Sequence, residues 1–210
     1  MHVPTLLEIV LMIPGVVIGF TFHEFGHAIV ATWFGDDTPR LMGRTTLNPA
    51  VHLDPLGTIL LLLGGFGWAK PVQVNVNRLR PRVLADICVS LAGVTINFLL
   101  AVFFLLIGIW LARNPMLGAY QNTTIEMLET TINVNVWMVG FNLLPIPPLD
   151  GFRVVRYLLP SHMENVVNNL YRMGPFLLML VFFTGLGDTL LGPVYGAINA
   201  ALDAIVRIVY

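Results

Sequence analysis

The chain has 210 residues, 56% of them hydrophobic and 11% charged, with a formal net charge of −1. Soluble domains carry about a quarter charged residues, so this composition describes a polytopic membrane protein in one domain, and the even charge balance offers no footprint for nucleic acid. Cys88 is the single cysteine, which excludes an intramolecular disulfide and reads as a small packed side chain.

The opening MHVPTLLEIV has no basic region and does not read as a cleaved signal peptide. Residues 5–34 form the first apolar span, with Pro14 as an expected kink, ending at Gly35, Asp36 and Asp37. After a polar, turn-rich stretch at 35–55, the apolar run 56–66 is too short to cross a bilayer core of about 30 Å, and is expected to be re-entrant or buried. At 64–77 glycines and Pro71 break helix. Val72, Val74 and Val76 then alternate with Gln73 and Asn75, a period-two pattern that predicts a short membrane-associated β-hairpin or loop. An exposed edge there could accept an extended peptide. Residues 83–112 are the second span, and 131–149 the third, after a polar stretch and ending in Pro145, Pro147 and Pro148. Residues 173–191 form a fourth span. The short apolar piece 194–210, with Asp203 and Arg207 one turn apart, is an interfacial helix or a fifth span. The expected fold is all-α, with a catalytic core over 5–155 and further C-terminal helices over 164–210.

Arg40, Arg44, Lys70, Arg78, Arg80 and Arg82 fall between the first two spans, and Arg153, Arg156 and Arg172 follow the third. Both groups lie on one side if the three spans alternate. The positive-inside rule makes that side cytoplasmic and puts the N-terminus outside.

The chemistry is concentrated in His23-Glu24-Phe25-Gly26-His27. On a helix, residues four apart share a face, so both imidazoles can reach one metal ion while Glu24 stays near enough to take a proton from bound water. With five His and five Glu in the chain, chance yields this pattern about 0.003 times per chain. Packing without metal is the alternative, but ionisable groups within a span are costly and mark function. A catalytic zinc site needs a third protein ligand. Asp150, after Asn142-Leu-Leu-Pro-Ile-Pro-Pro-Leu, is one candidate. His52 and Asp54 in NPAVHLDPLG are rivals, although Asp54 before Pro55 also reads as a helix N-cap. Spacing favours Asp150 only modestly. His2 and His162 read as terminal and solvated residues. Asp86 and Asp188 lie in apolar segments without an evident partner.

Taken together, HEFGH at 23–27, NPAVHLDPLG at 48–57, GGFGWAKPV at 64–72, the Ala92-Gly93…Asn97 segment and FNLLPIPPLDG at 141–151 resemble the site-2 protease family of intramembrane zinc metalloproteases, in its compact prokaryotic branch without a PDZ domain. The resemblance covers most of residues 20–155. It implies one zinc ion held by His23, His27 and Asp150, with Glu24 as general base, and cleavage of peptide bonds within or near transmembrane segments of membrane-protein substrates. It further implies substrate or oxyanion contacts from Asn97 and Asn142, for which interhelical packing is the equal alternative, and substrate guidance by the loop of Gly67, Trp68 and Pro71. Trp68 and Lys70 read otherwise as interfacial anchors. A metal-binding transporter or sensor would use the same ligands but leave Glu24 without a task.

Overall fold

A computed structural model describes residues 5–64 and 67–209, without the side chains at 161, 182, 183 and 188; the readings of His2 and Asp188 fall outside it. The described residues are helical, without a strand. Helix α1 (Leu6–Trp33) begins with a reciprocal cap. The Thr5 hydroxyl accepts the Glu8 N–H, and the Glu8 carboxylate accepts the Thr5 N–H at 2.6 Å. Short helices α2 (Thr38–Leu41) and α3 (Pro49–His52) follow, then α4 (Pro55–Gly64), α5 (Arg82–Arg113) and α6 (Gln121–Asn142). Helix α7 (Asp150–Val155), α8 (Glu164–Phe183) and α9 (Leu186–Val209) complete the order.

Helices α1, α5 and α6 pack on one another as a three-helix core. Small residues allow the close approach that membrane helices use in place of a hydrophobic driving force. A Cβ on Gly15 would stand 2.9 Å from the Thr131 Cα of α6, and one on Gly26 would stand 2.7 Å from the Ile96 side chain of α5. Val94 and Ala101 of α5, Val136 and Val139 of α6, and Ile198 and Leu202 of α9 form one apolar cluster. Val16 and Phe20 of α1, Leu61 of α4 and Met138 of α6 form a second.

Among the described residues, three helical stretches are long and apolar enough to cross a membrane: Leu6–Trp33, Arg82–Arg113 and Thr189–Val209. The first two match the expected spans. The third span, expected at 131–149, is not among the three; residues 131–142 belong to a helix that starts at Gln121 and ends at Asn142. The polar residues from Gln121 to Thr130 are helical as well, and only one face of α6 turns inward. The expected fourth span at 173–191 is interrupted: α8 ends at Phe183 and Gly185 adopts φ +73°, the left-handed conformation in which glycine stops a helix. The apolar tail is continuous with α9.

The predicted β-hairpin does not form among the described residues. Its single trace is an antiparallel bridge between Leu53 and Ala69. Val72, Val74 and Val76 are half-buried while Gln73 and Asn75 are exposed, so the alternation in the sequence reports one-sided burial rather than pairing. Carboxylates take the place of a neighbouring strand: Glu24 accepts the Val72 N–H at 2.8 Å, and Asp36 accepts the Asn75 N–H at 2.6 Å. The Arg44 guanidinium donates to the Lys70 carbonyl.

Candidate active site

His23, Glu24 and His27 lie on the inward face of α1, each less than a tenth exposed. Asp150 reaches them from the first turn of α7. Its approach follows from the sequence after α6, where Pro145, Pro147 and Pro148 prevent the helix from continuing. The chain then doubles back so tightly that a Cβ on Gly151 would stand 2.5 Å from the Leu143 carbonyl carbon.

The three ligand atoms form a nearly equilateral triangle. His23 Nε2 and His27 Nε2 are 3.0 Å apart, and Asp150 Oδ2 is 3.3 Å from the first and 3.2 Å from the second. A tetrahedral ion with bonds of about 2.0–2.1 Å has ligand-to-ligand edges of about 3.3–3.4 Å.

Each imidazole is turned by a bond on its far side. His23 Nδ1 donates to Asn97 Oδ1 at 2.6 Å, and His27 Nδ1 donates to the Val89 carbonyl at 2.7 Å. With Nδ1 protonated, each Nε2 presents a lone pair inward, the arrangement that metal-ligating histidines adopt. Asp150 Oδ2 faces these lone pairs and has no other hydrogen-bond partner. Three acceptors directed at one point repel one another unless a cation lies between them, so the donor set fits zinc.

Asn97 is fully buried and its amide is occupied. Nδ2 donates to Asn135 Oδ1 at 2.8 Å and to the Gly19 carbonyl at 3.2 Å. Asn135, which the sequence reading missed, in turn donates to the Thr131 carbonyl at 2.9 Å. Asn142 donates to the Met138 carbonyl within its own helix at 3.0 Å. Gly67 packs against Leu61 and Gly57 of α4, and Trp68 lies across Gly57. Pro71 is exposed, and the loop meets the candidate site one residue later through the Val72 N–H on Glu24.

The rival ligands are used elsewhere. Asp54 Oδ1 accepts the Gly57 N–H at 2.9 Å at the start of α4. His52 is buried with Nε2 2.7 Å from the Thr46 carbonyl; burial holds its pKa below the usual histidine value, opposed by that bond. Asp86 has partners that the sequence did not disclose: the Arg153 guanidinium and the Tyr157 hydroxyl. Burial, then the bond to Asp86, pushes the Tyr157 phenol above its ordinary value.

The sequence matches the profile of Peptidase family M50 over residues 11–134 and 115–182. The chain belongs to peptidase family M50. It is similar to YwhC of Bacillus subtilis (strain 168), named as a candidate zinc metalloprotease. The two are 40% identical over 194 residues, covering 91% of this chain and 87% of YwhC. Two proteins named as candidate zinc metalloprotease Rip2 are also similar. That of Mycobacterium tuberculosis (strain ATCC 25618 / H37Rv) is 30% identical over 201 residues, 92% of this chain and 73% of the relative. That of Mycolicibacterium smegmatis (strain ATCC 700084 / mc(2)155) is 35% identical over 151 residues, 68% of this chain and 55% of the relative. No solved structure matches. As a compact M50 member of the site-2 protease family, the chain is an intramembrane zinc metalloprotease. Its apolar helices agree with that setting.

Proposed function

We propose that His23, His27 and Asp150 hold one zinc ion per chain, and that Glu24 is the general base of an endopeptidase cutting within or beside transmembrane segments of membrane proteins. The observation that supports this reading best is the 3.0, 3.2 and 3.3 Å triangle of inward-facing acceptors. When bound, zinc supplies Lewis-acid polarisation of the scissile carbonyl and of water, whose pKa falls to about 7. Glu24 follows His23 on α1, and its carboxylate accepts the proton of the attacking water and returns it to the leaving amine. Asn97 and the Val89 carbonyl hold the two imidazoles in the tautomer that leaves Nε2 free. Asn97 therefore supports His23 rather than the substrate in this reading. Asn142, at the end of α6, stays a candidate for substrate contact.

The loop of Gly67, Trp68 and Pro71 leads into the Val72 N–H on Glu24, so a substrate drawn along 72–76 would arrive at the base. A helical substrate hides its carbonyls and has to unwind before attack. The chain acts as one domain over 1–210 in a cell membrane, with α1, α5 and α6 crossing together. The active site faces the cytoplasm and the N-terminus lies outside, a placement supported by the arginines at 40–82 and 153–172.

Glu24→Gln tests the assignment. The variant should keep its zinc and lose cleavage of a transmembrane reporter in a reconstituted bilayer. Cleavage at the parental rate would remove Glu24 from the chemistry.

A further inference from the structure

Asp86 is a carboxylate with no exposure, in the second turn of α5. A buried charge persists only when partners and hydrogen bonds offset its lost hydration, and Asp86 has both. Its Oδ1 pairs with the Arg153 guanidinium, and its Oδ2 accepts the Tyr157 hydroxyl at 2.7 Å. Both partners come from one short segment, Arg153 from α7 and Tyr157 from the turn after it.

The cluster lies one helical turn from two ends of the candidate metal centre. Arg153 is three residues beyond Asp150 on α7. On α5, Val89 is three residues beyond Asp86, and its carbonyl orients His27. Residues three apart share a helix face. Helix α7 has six residues, too few to hold an orientation through its own hydrogen bonds. Besides its packing on α5, its supports include the close turn at Gly151 and the edge contact of Phe152 on Tyr171, with ring centroids 5.1 Å apart.

We propose that Asp86, Arg153 and Tyr157 are positioning residues that clamp α7 to α5, set the separation of Asp150 from His27, and thereby set the zinc affinity of the site. The inference rests on the metal assignment above. It adds three residues that touch neither ion nor substrate and act through the relative placement of two ligands.

The test is zinc affinity of the purified full chain by chelator competition, alongside the melting temperature of zinc-free protein. Asp86→Asn and Arg153→Met should each weaken zinc binding by about 10- to 100-fold, the range for lost ligand support. Arg153→Lys should recover part of the loss, and Tyr157→Phe should weaken binding by about threefold, the scale of one ordinary hydrogen bond. Zinc affinity within about twofold of the parent, with only the melting temperature lowered, would reduce the cluster to a brace and overturn the proposal. If Asp86→Asn does not fold, Tyr157→Phe and Arg153→Lys carry the test, and parental affinity in both overturns it. A parent chain that binds no zinc, or a His27→Ala variant that binds it as well as the parent, refutes the metal assignment instead.

Discussion

Gly93→Ala should disable the proposed metal centre while leaving α5, the helix that carries position 93, intact. A Cβ at position 93 of α5 would stand 2.5 Å from Cε1, 2.6 Å from Nδ1 and 2.7 Å from Nε2 of His23. Non-bonded heavy atoms settle at about 3.5 Å or more, so the ring has to retreat by about 1 Å or α1 and α5 have to part by as much. The ring has little room: Nδ1 is bound to Asn97 at 2.6 Å, and the face-to-edge contact with His27 has centroids 4.6 Å apart. Metal–ligand distances tolerate about 0.2 Å, so either movement removes His23 as an effective ligand. Alanine within a helix is favoured over glycine by about 1 kcal/mol, so α5 itself gains. Zinc affinity should fall by about 100-fold, the upper end for disturbed ligand support, or about 2.7 kcal/mol. Zinc content by mass spectrometry, chelator competition and circular dichroism on one preparation would measure this. A Gly93→Ala variant with one zinc at parental affinity and normal cleavage would refute the reasoning.

Asn97→Leu removes the acceptor of His23 Nδ1 and takes from Asn135 Oδ1 the N–H it accepts from Asn97; zinc binding should weaken by about 10- to 100-fold. Unchanged zinc affinity with a raised KM would return Asn97 to substrate contact. His52 should make the fold acid-sensitive. Burial lowers its pKa in the folded chain, so the unfolded chain takes up the proton first as pH falls. The stability that neutral His52 contributes is complete above the ordinary histidine value of about 6.5 and is lost as pH drops below it. Thermal melts between about pH 5 and pH 8 should show a steeper acid loss for the parent than for His52→Gln; equal slopes would remove His52 as the cause.

The sequence disclosed what is local. The four-residue interval between His23 and His27 becomes a shared face in any helix, and prolines at 145, 147 and 148 end α6 wherever it sits. Asp150 stood apart from His52 and Asp54 through the family resemblance rather than through spacing. Asn135 and the clamp stayed hidden because their meaning lies in pairing: Asp86 and Arg153 are 67 residues apart, and neither identity names the other. The strand forecast at 72–76 failed for a related reason. Alternation records which side chains are covered, and here the covering surface is helices and carboxylates rather than a second strand. The polar opening of α6 lay outside the expected span, because a helix needs only one inward stripe to be held.

The two imidazoles differ in what fixes them. His27 leans on the Val89 carbonyl, a main-chain atom that every amino acid at position 89 would supply, whereas His23 leans on the side chain of Asn97. The acceptor of one imidazole is thus the same whatever side chain stands at 89, and the acceptor of the other depends on the side chain at 97. The hold on His23 should therefore vary with the residues around position 97, whereas the placement of His27 and Asp150 is tuned elsewhere in the fold.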